Sequence, residues 1–158
     1  MRKISSLVEH LLTTTRLPRE QVHAFADKGE LQPTGRDLGL TPDGRAQLEV
    51  GVWKYDAVIR LERYADDGPT LMAIVLGWLA DHDGDRDGLA EPELDVDIND
   101  ARTCDVELAV EFEERITVVE DPAGAVPFDG RRWSVAAPEI VAADSFTFGA
   151  RRGGGDAG

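Results

Sequence analysis

Apolar residues at Ile4, Leu7, Val8, Leu11 and Leu12 recur at helical spacing, which predicts a short helix over residues 3–14 with one buried stripe. The next stretch, LPREQVHAFADKGELQPTG, supports two readings. Pro18 at a helix start and Gly29 past its end suit a helix with Val22, Phe25 and Ala26 as its stripe. Alternation of Val22, Ala24 and Ala26 with His23, Phe25 and Asp27 suits a hairpin turning at Lys28-Gly29. Residues 35–45 (GRDLGLTPDGR) hold three glycines and a Pro-Asp-Gly turn, so an exposed loop and flexible contact arm is expected there.

From Ala46 the period becomes two, with Ala46, Leu48, Val50 and Val52 in one phase and Tyr55, Ala57, Ile59 and Leu61 in the other. The change near Trp53 predicts a bulge. Asp66-Asp67-Gly68-Pro69 ends that strand and opens a helix through about Asp81. Its apolar residues Leu71, Met72, Ile74, Val75, Trp78 and Leu79 span more than half the circumference, so it is expected to be the sheet's main cover. Leu94, Val96 and Ile98, then Val106, Leu108, Val110 and Phe112, alternate with polar residues and predict two half-buried strands. Their short connection favours an antiparallel pair, the second strand continuing through Ile116, Val118 and Val119. A last short strand is expected over residues 132–136, followed by an extension and a Gly-rich tail.

Composition narrows the class. The chain has 158 residues, 42% of them hydrophobic and 30% charged, enough for one folded domain of ordinary core size. The longest apolar run, LMAIVLGWLA, has ten residues against the roughly 20 a bilayer span requires. Glu9 and His10 interrupt any signal-peptide core, so the N-terminal segment reads as part of the fold. The single Cys104 suits a reducing cytoplasm. Net charge is −14, the wrong sign for gripping phosphates. Residues 66–121 carry 18 acidic and 3 basic side chains, whereas the rest of the chain is close to neutral.

The loop DHDGDRDGLAEPEL begins like a calcium-binding EF-hand loop, with Asp83, Asp85 and Asp87 spaced by two and Gly88 sixth. Its twelfth position is Leu94 where a bidentate Glu belongs, and a strand rather than a helix follows. A solvated connector is the simpler expectation, with those three aspartates as a weak candidate metal set. No catalytic constellation stands out: His10, His23 and His82 are scattered, no Ser sits in a Gly-flanked elbow, and no glycine loop is built for phosphate. No cofactor is expected. Trp53, Trp78 and Trp133 read as core or interface anchors, and Arg131-Arg132 and Arg151-Arg152 as small basic clusters. If the two alternating strands pair, Asp95, Asp97, Asp105, Glu107 and Glu111 crowd onto one face, where like charges oppose each other. That face is either solvated, presented to a basic partner, or turned to a channel that must not hold DNA.

The collinear set MRKISSL, VHAFADKGELQPTG, YDAVIRLERYADD, IVLGWLADH and ELDVDINDARTCDVELAVEFEERITVVED resembles the tail completion protein R family of contractile-tailed temperate phages and prophages over about residues 1–120. The resemblance favours the hairpin reading of residues 22–34. It implies an α+β, tail-terminator-like fold: an antiparallel or mixed sheet of about 4–6 strands covered by two main helices, with an extended C-terminal tail. A tail completion domain over 1–122, a strand and extension over 123–148 and a disordered tail over 149–158 are expected. By the same resemblance the chain is a structural virion protein, not an enzyme. It would complete the tail tube at its head-proximal end as a homo-hexameric ring, meeting tail tube, sheath and neck or connector proteins. Its location would be the virion tail, and the host cytoplasm during assembly. Arg36, Arg45, Arg60 and Arg63 join the five acidic strand residues as interface or channel candidates, since a head-to-tail ring needs two complementary surfaces per subunit. DNA would pass such a ring without sequence-specific binding. A calcium-responsive acidic binding module using the 83–88 loop is the alternative function.

Overall fold

The computed structural model describes residues 1–136. Helix α1, Arg2–Thr15, buries Ile4, Leu7, Val8 and Leu11, the stripe the periodicity predicts. It ends where Arg16 takes a left-handed conformation (φ 59°) and its N–H returns to the Leu12 carbonyl, closing an otherwise orphan acceptor. One 3-10 turn, Arg19–Gln21, leads into β1, Val22–Leu40, so the helical reading of this stretch is overturned.

The predicted hairpin exists but is larger than the local signals suggested. Lys28-Gly29 is not its turn. β1 passes through Lys28 (φ 53°), Gly35 (φ 61°) and Gly39 (φ 86°) without ending; left-handed residues inside a strand absorb an extra residue as bulges do. Residues 35–45 are therefore not one loop. The turn lies at Thr41-Pro42-Asp43-Gly44-Arg45, where the Thr41 N–H donates to the Arg45 carbonyl (2.7 Å) and the Gly44 N–H to the Thr41 carbonyl (2.9 Å). Strand β2, Ala46–Tyr64, returns from it.

Along β2 the most buried residues are Glu49, Gly51, Tyr55, Ala57, Ile59 and Leu61, one unbroken odd-numbered phase. The expected bulge at Trp53 is absent. Apolar Leu48, Val50 and Val52 simply take the other side, and the phase shifts at Arg63 (φ 56°), which turns Tyr64 inward. Helix α2, Gly68–His82, starts with proline in its first turn and buries Leu71, Val75, Trp78 and Leu79. Met72 and Leu76 stay exposed, so only part of its apolar circumference serves as cover. Strand β4, Cys104–Glu120, follows the predicted alternation, whereas β3, Glu93–Ile98, is not the half-buried strand expected: it pairs with β4 alone among the described strands, Leu94 is half-buried, and Val96 and Ile98 are exposed. Residues of β5, Val126–Phe128, and β6, Arg131–Val135, complete the strands; the sequence pattern predicted only the second of these two.

Two compact units are formed. The larger comprises Met1–Asp37 and Glu49–Ile116. Its strands lie in the order β1-β2-β4-β3, with β3 antiparallel to β4 in a register that places Leu94 opposite Leu108 and Asp97 opposite Asp105. α1 and α2 pack on each other and share one core with Tyr55, Ala57, Ile59 and Leu61 of β2 and Val106, Leu108, Val110 and Phe112 of β4. The smaller comprises Leu38–Leu48 and residues from Thr117 on, described as far as Ala136. In it the end of β4 pairs antiparallel with β6, and β6 with β5. Trp133 is its buried anchor (2% exposed), with its indole N–H donating to the Phe128 carbonyl at 2.9 Å. The fold is thus α+β, an antiparallel sheet with two helices. The expected extension beyond residue 136 and the tail at 149–158 lie outside the described residues.

Candidate functional site

The strand period decides which carboxylates meet. In β4 the even residues from Val106 to Phe112 are buried, so Asp105, Glu107, Glu111 and Glu113 point to the face away from the helices. The β3 register puts Asp95 opposite Glu107 and Asp97 opposite Asp105. From β2 the outward residues Arg60 and Glu62 join them. Together Arg60, Glu62, Asp95, Asp97, Asp105 and Glu107 line an open groove of about 600 Å³.

Its charge is only partly compensated. The Arg60 guanidinium donates to Glu107 at 2.6 Å, and this partner raises the Arg60 pKa further. Asp105 accepts from the Asn99 side-chain amide at 2.8 Å and the Arg63 backbone N–H at 3.0 Å. These two bonds, the amide first, hold its carboxyl below the usual range. Arg63, whose φ is 56°, thus meets Asp105 through its backbone N–H. Asp97 has no ion pair among the described residues although it faces Asp105 directly. His23 of β1 closes the far side of β2, with Nε2 3.3 Å from Glu62.

The other sequence candidates lie elsewhere. Glu111 accepts the Ala90 N–H at 2.7 Å and lies 3.7 Å from Lys54, fastening the loop after α2. Arg36, on β1, lies 3.9 Å from Glu49, whose side chain is buried. Arg45 sits in the hairpin turn and pairs with Asp43 at 3.0 Å. Neither Arg36 nor Arg45 lines the acidic groove.

Asp83 has a different occupation from the calcium reading. It is 7% exposed, and its two oxygens accept from Lys3 and Arg86, each at 2.7 Å. Arg86 also donates to the Ala90 and Glu111 carbonyls, and Lys3 to the Glu113 carbonyl. This cluster ties the loop to α1 and β4. Asp85 and Asp87 are exposed, and no three His, Cys, Asp or Glu side chains converge on a metal position among the described residues.

Two buried carboxylates, Glu49 and Glu114, escaped the sequence reading. Glu114 follows Phe112 in the inward phase of β4 and is 8% exposed. It accepts the Met1 ammonium (3.2 Å), the Arg2 and Lys3 N–H groups (each 3.1 Å) and the Tyr55 hydroxyl (2.5 Å). A carboxylate there satisfies orphan donors at the start of α1 and complements the helix dipole. Burial pushes its pKa up, but the Tyr55 hydroxyl, the two N–H groups and the ammonium outweigh it and leave the pKa lowered. Tyr55 is pushed far above its ordinary value by burial and by Glu114. The signal was available: Glu114 occupies a position where the alternation calls for an apolar side chain.

No solved structure matches the chain. It is 30% identical over 138 residues, covering 82% of this chain and 80% of the other, to an uncharacterized 19.2 kDa protein from the rep-hol intergenic region of Haemophilus phage HP1. The family described as P2 phage tail completion protein R (GpR) matches residues 1–138, which takes in both helices, all six strands and every residue of the acidic groove. The chain belongs to the P2 phage tail completion protein R family.

Proposed function

We propose that this protein is a structural component of a phage tail that completes the tail tube at its head-proximal end and prepares it for joining to the neck. The family membership of residues 1–138 carries this reading. The tail-completing role falls to residues 1–122, and the protein acts as a homo-hexameric ring in the virion tail after assembly in the host cytoplasm. The acidic groove supplies one of the two unlike surfaces such a head-to-tail ring requires. Asp95 and Asp97, without an ion pair among the described residues, meet a basic surface on a neighbouring tail protein or face the bore, where negative charge keeps DNA from adhering. The chemistry of the groove is electrostatic: five carboxylates line it with one arginine, Arg60.

Deletion of the gene in a phage or inducible prophage tests this reading. Electron micrographs of the lysate are expected to show tails of uncontrolled length or complete tails unattached to filled heads, corrected by the gene in trans. Normal, infectious virions from the deletion would overturn it.

A further inference from the structure

Helix α2 is apolar on two sides, and only one is covered. Met72 and Leu76, one turn apart, are 44% and 56% exposed. With Pro92 and Leu94 they line an apolar groove of about 360 Å³, and Glu91 and Glu93 stand at its rim. Neither glutamate has an ion-pair partner among the described residues. A groove of this make-up suits an extended segment carrying apolar side chains on one side and cations beside them.

The chain contains such a segment beyond the family match. Phe146 and Phe148 alternate with Thr147, and Arg151 and Arg152 follow. In an extended backbone two residues span about 6.6 Å, close to the roughly 6 Å separating Met72 from Leu76 along a helix axis. We propose that residues 146–152 of a second copy of this chain dock in the α2–β3 groove, the two phenylalanines against Met72, Leu76 and Leu94, and Arg151 and Arg152 against Glu91 and Glu93. Nine residues separate Ala136 from Phe146, a length that can span about 30 Å. The contact places basic residues against the acidic third of the neighbour, where two copies otherwise repel. It joins unlike surfaces, so it propagates head to tail. It does not rest on the tail-completion reading, since it is a property of the purified protein.

The experiment mixes two full-length proteins in a Cys104→Ser background, one carrying Leu76→Cys and the other Phe148→Cys, and follows disulfide-linked heterodimer under mild oxidation. Leu76 is exposed, so its replacement leaves the core intact, and circular dichroism verifies this. The heterodimer is expected to form at least tenfold faster than the pair Ile98→Cys with Phe148→Cys, Ile98 being 81% exposed on β3. Arg151→Glu with Arg152→Glu is expected to abolish the difference, and adding Glu91→Lys with Glu93→Lys to the partner to restore it. Equal rates for the two pairs, or no heterodimer, would overturn the proposal. Either result leaves the outcome of the gene deletion untouched, so the two readings fail separately.

Discussion

Glu114 shows how one side chain can fix the start of a helix to a distant strand. Four donors converge on its two oxygens, and removing the charge leaves them facing a buried, weaker acceptor. Glu114→Gln is expected to cost about 2–4 kcal/mol, read as a lower midpoint in urea with an unchanged denaturant slope. The pH dependence follows from the directions of two shifts. A carboxyl whose folded pKa is lowered stabilises the fold above its unfolded value of 4.5 and loses that contribution as pH falls through the folded pKa. A tyrosine whose folded pKa is raised stabilises the fold fully below 10.0 and progressively less above it. Stability is therefore expected to fall on both the acid and the alkaline side, and Tyr55→Phe to weaken both limbs, since it removes the tyrosine's own titration and the hydroxyl that does most to lower the Glu114 pKa; melting temperatures across pH 3–11 check this. A second residue is fixed by space rather than charge: a Cβ on Gly124 would lie 2.1 Å from the Trp133 carbonyl oxygen. Gly124→Ala is expected to destabilise by about 1–3 kcal/mol, with faster hydrogen exchange in β5 and β6. Glu114 was readable in principle from its phase in β4. Gly124 was not, because the backbone that crowds it comes from a strand reached only after the turn.

The elements were legible where one period held. α1, α2 and β4 follow their hydrophobic spacing because each buries a single face of regular geometry, whereas β3 forms where its alternation predicts but leaves Val96 and Ile98 exposed. β1 did not, because 18 of its 19 residues are intermediate or exposed, leaving no inward set to mark its phase, and because left-handed residues inside it mimic turns. β2 misled for the opposite reason, since valines on its outer side imitate a phase change that the backbone does not make until Arg63. The pairing of β3 with β4 carries a deliberate conflict, Asp97 opposite Asp105. Like charges at a cross-strand position are destabilising. Asp97→Asn is expected to raise stability by about 0.2–1 kcal/mol at low salt, with the gain disappearing near 1 M salt as screening shortens to about 3 Å. An unchanged or lower melting temperature at low salt would show that the pair is already relieved.

At the scale of the whole molecule, the sequence showed where the negative charge lies along the chain but not how it is arranged. Residues 66–121 hold most of it, yet Asp83 and Glu114 are consumed inside the fold, Glu111 fastens a loop, and the β3–β4–β2 face gathers Asp95, Asp97, Asp105 and Glu107 into one groove. Arg60 belongs to that groove, Arg63 meets its Asp105 through a backbone N–H alone, and Arg36 and Arg45 lie elsewhere, a division no spacing rule contains because it depends on strand neighbours. Six copies would carry about −84 formal charges, so the proposed ring is expected to assemble more readily as salt rises through the range where surface charges are screened. Strand β4 adds a mechanical consequence. It runs unbroken for 17 residues and supplies residues to both compact units. Its ladder bonds lie perpendicular to its length. A pull along it loads those bonds together in shear instead of opening them one after another.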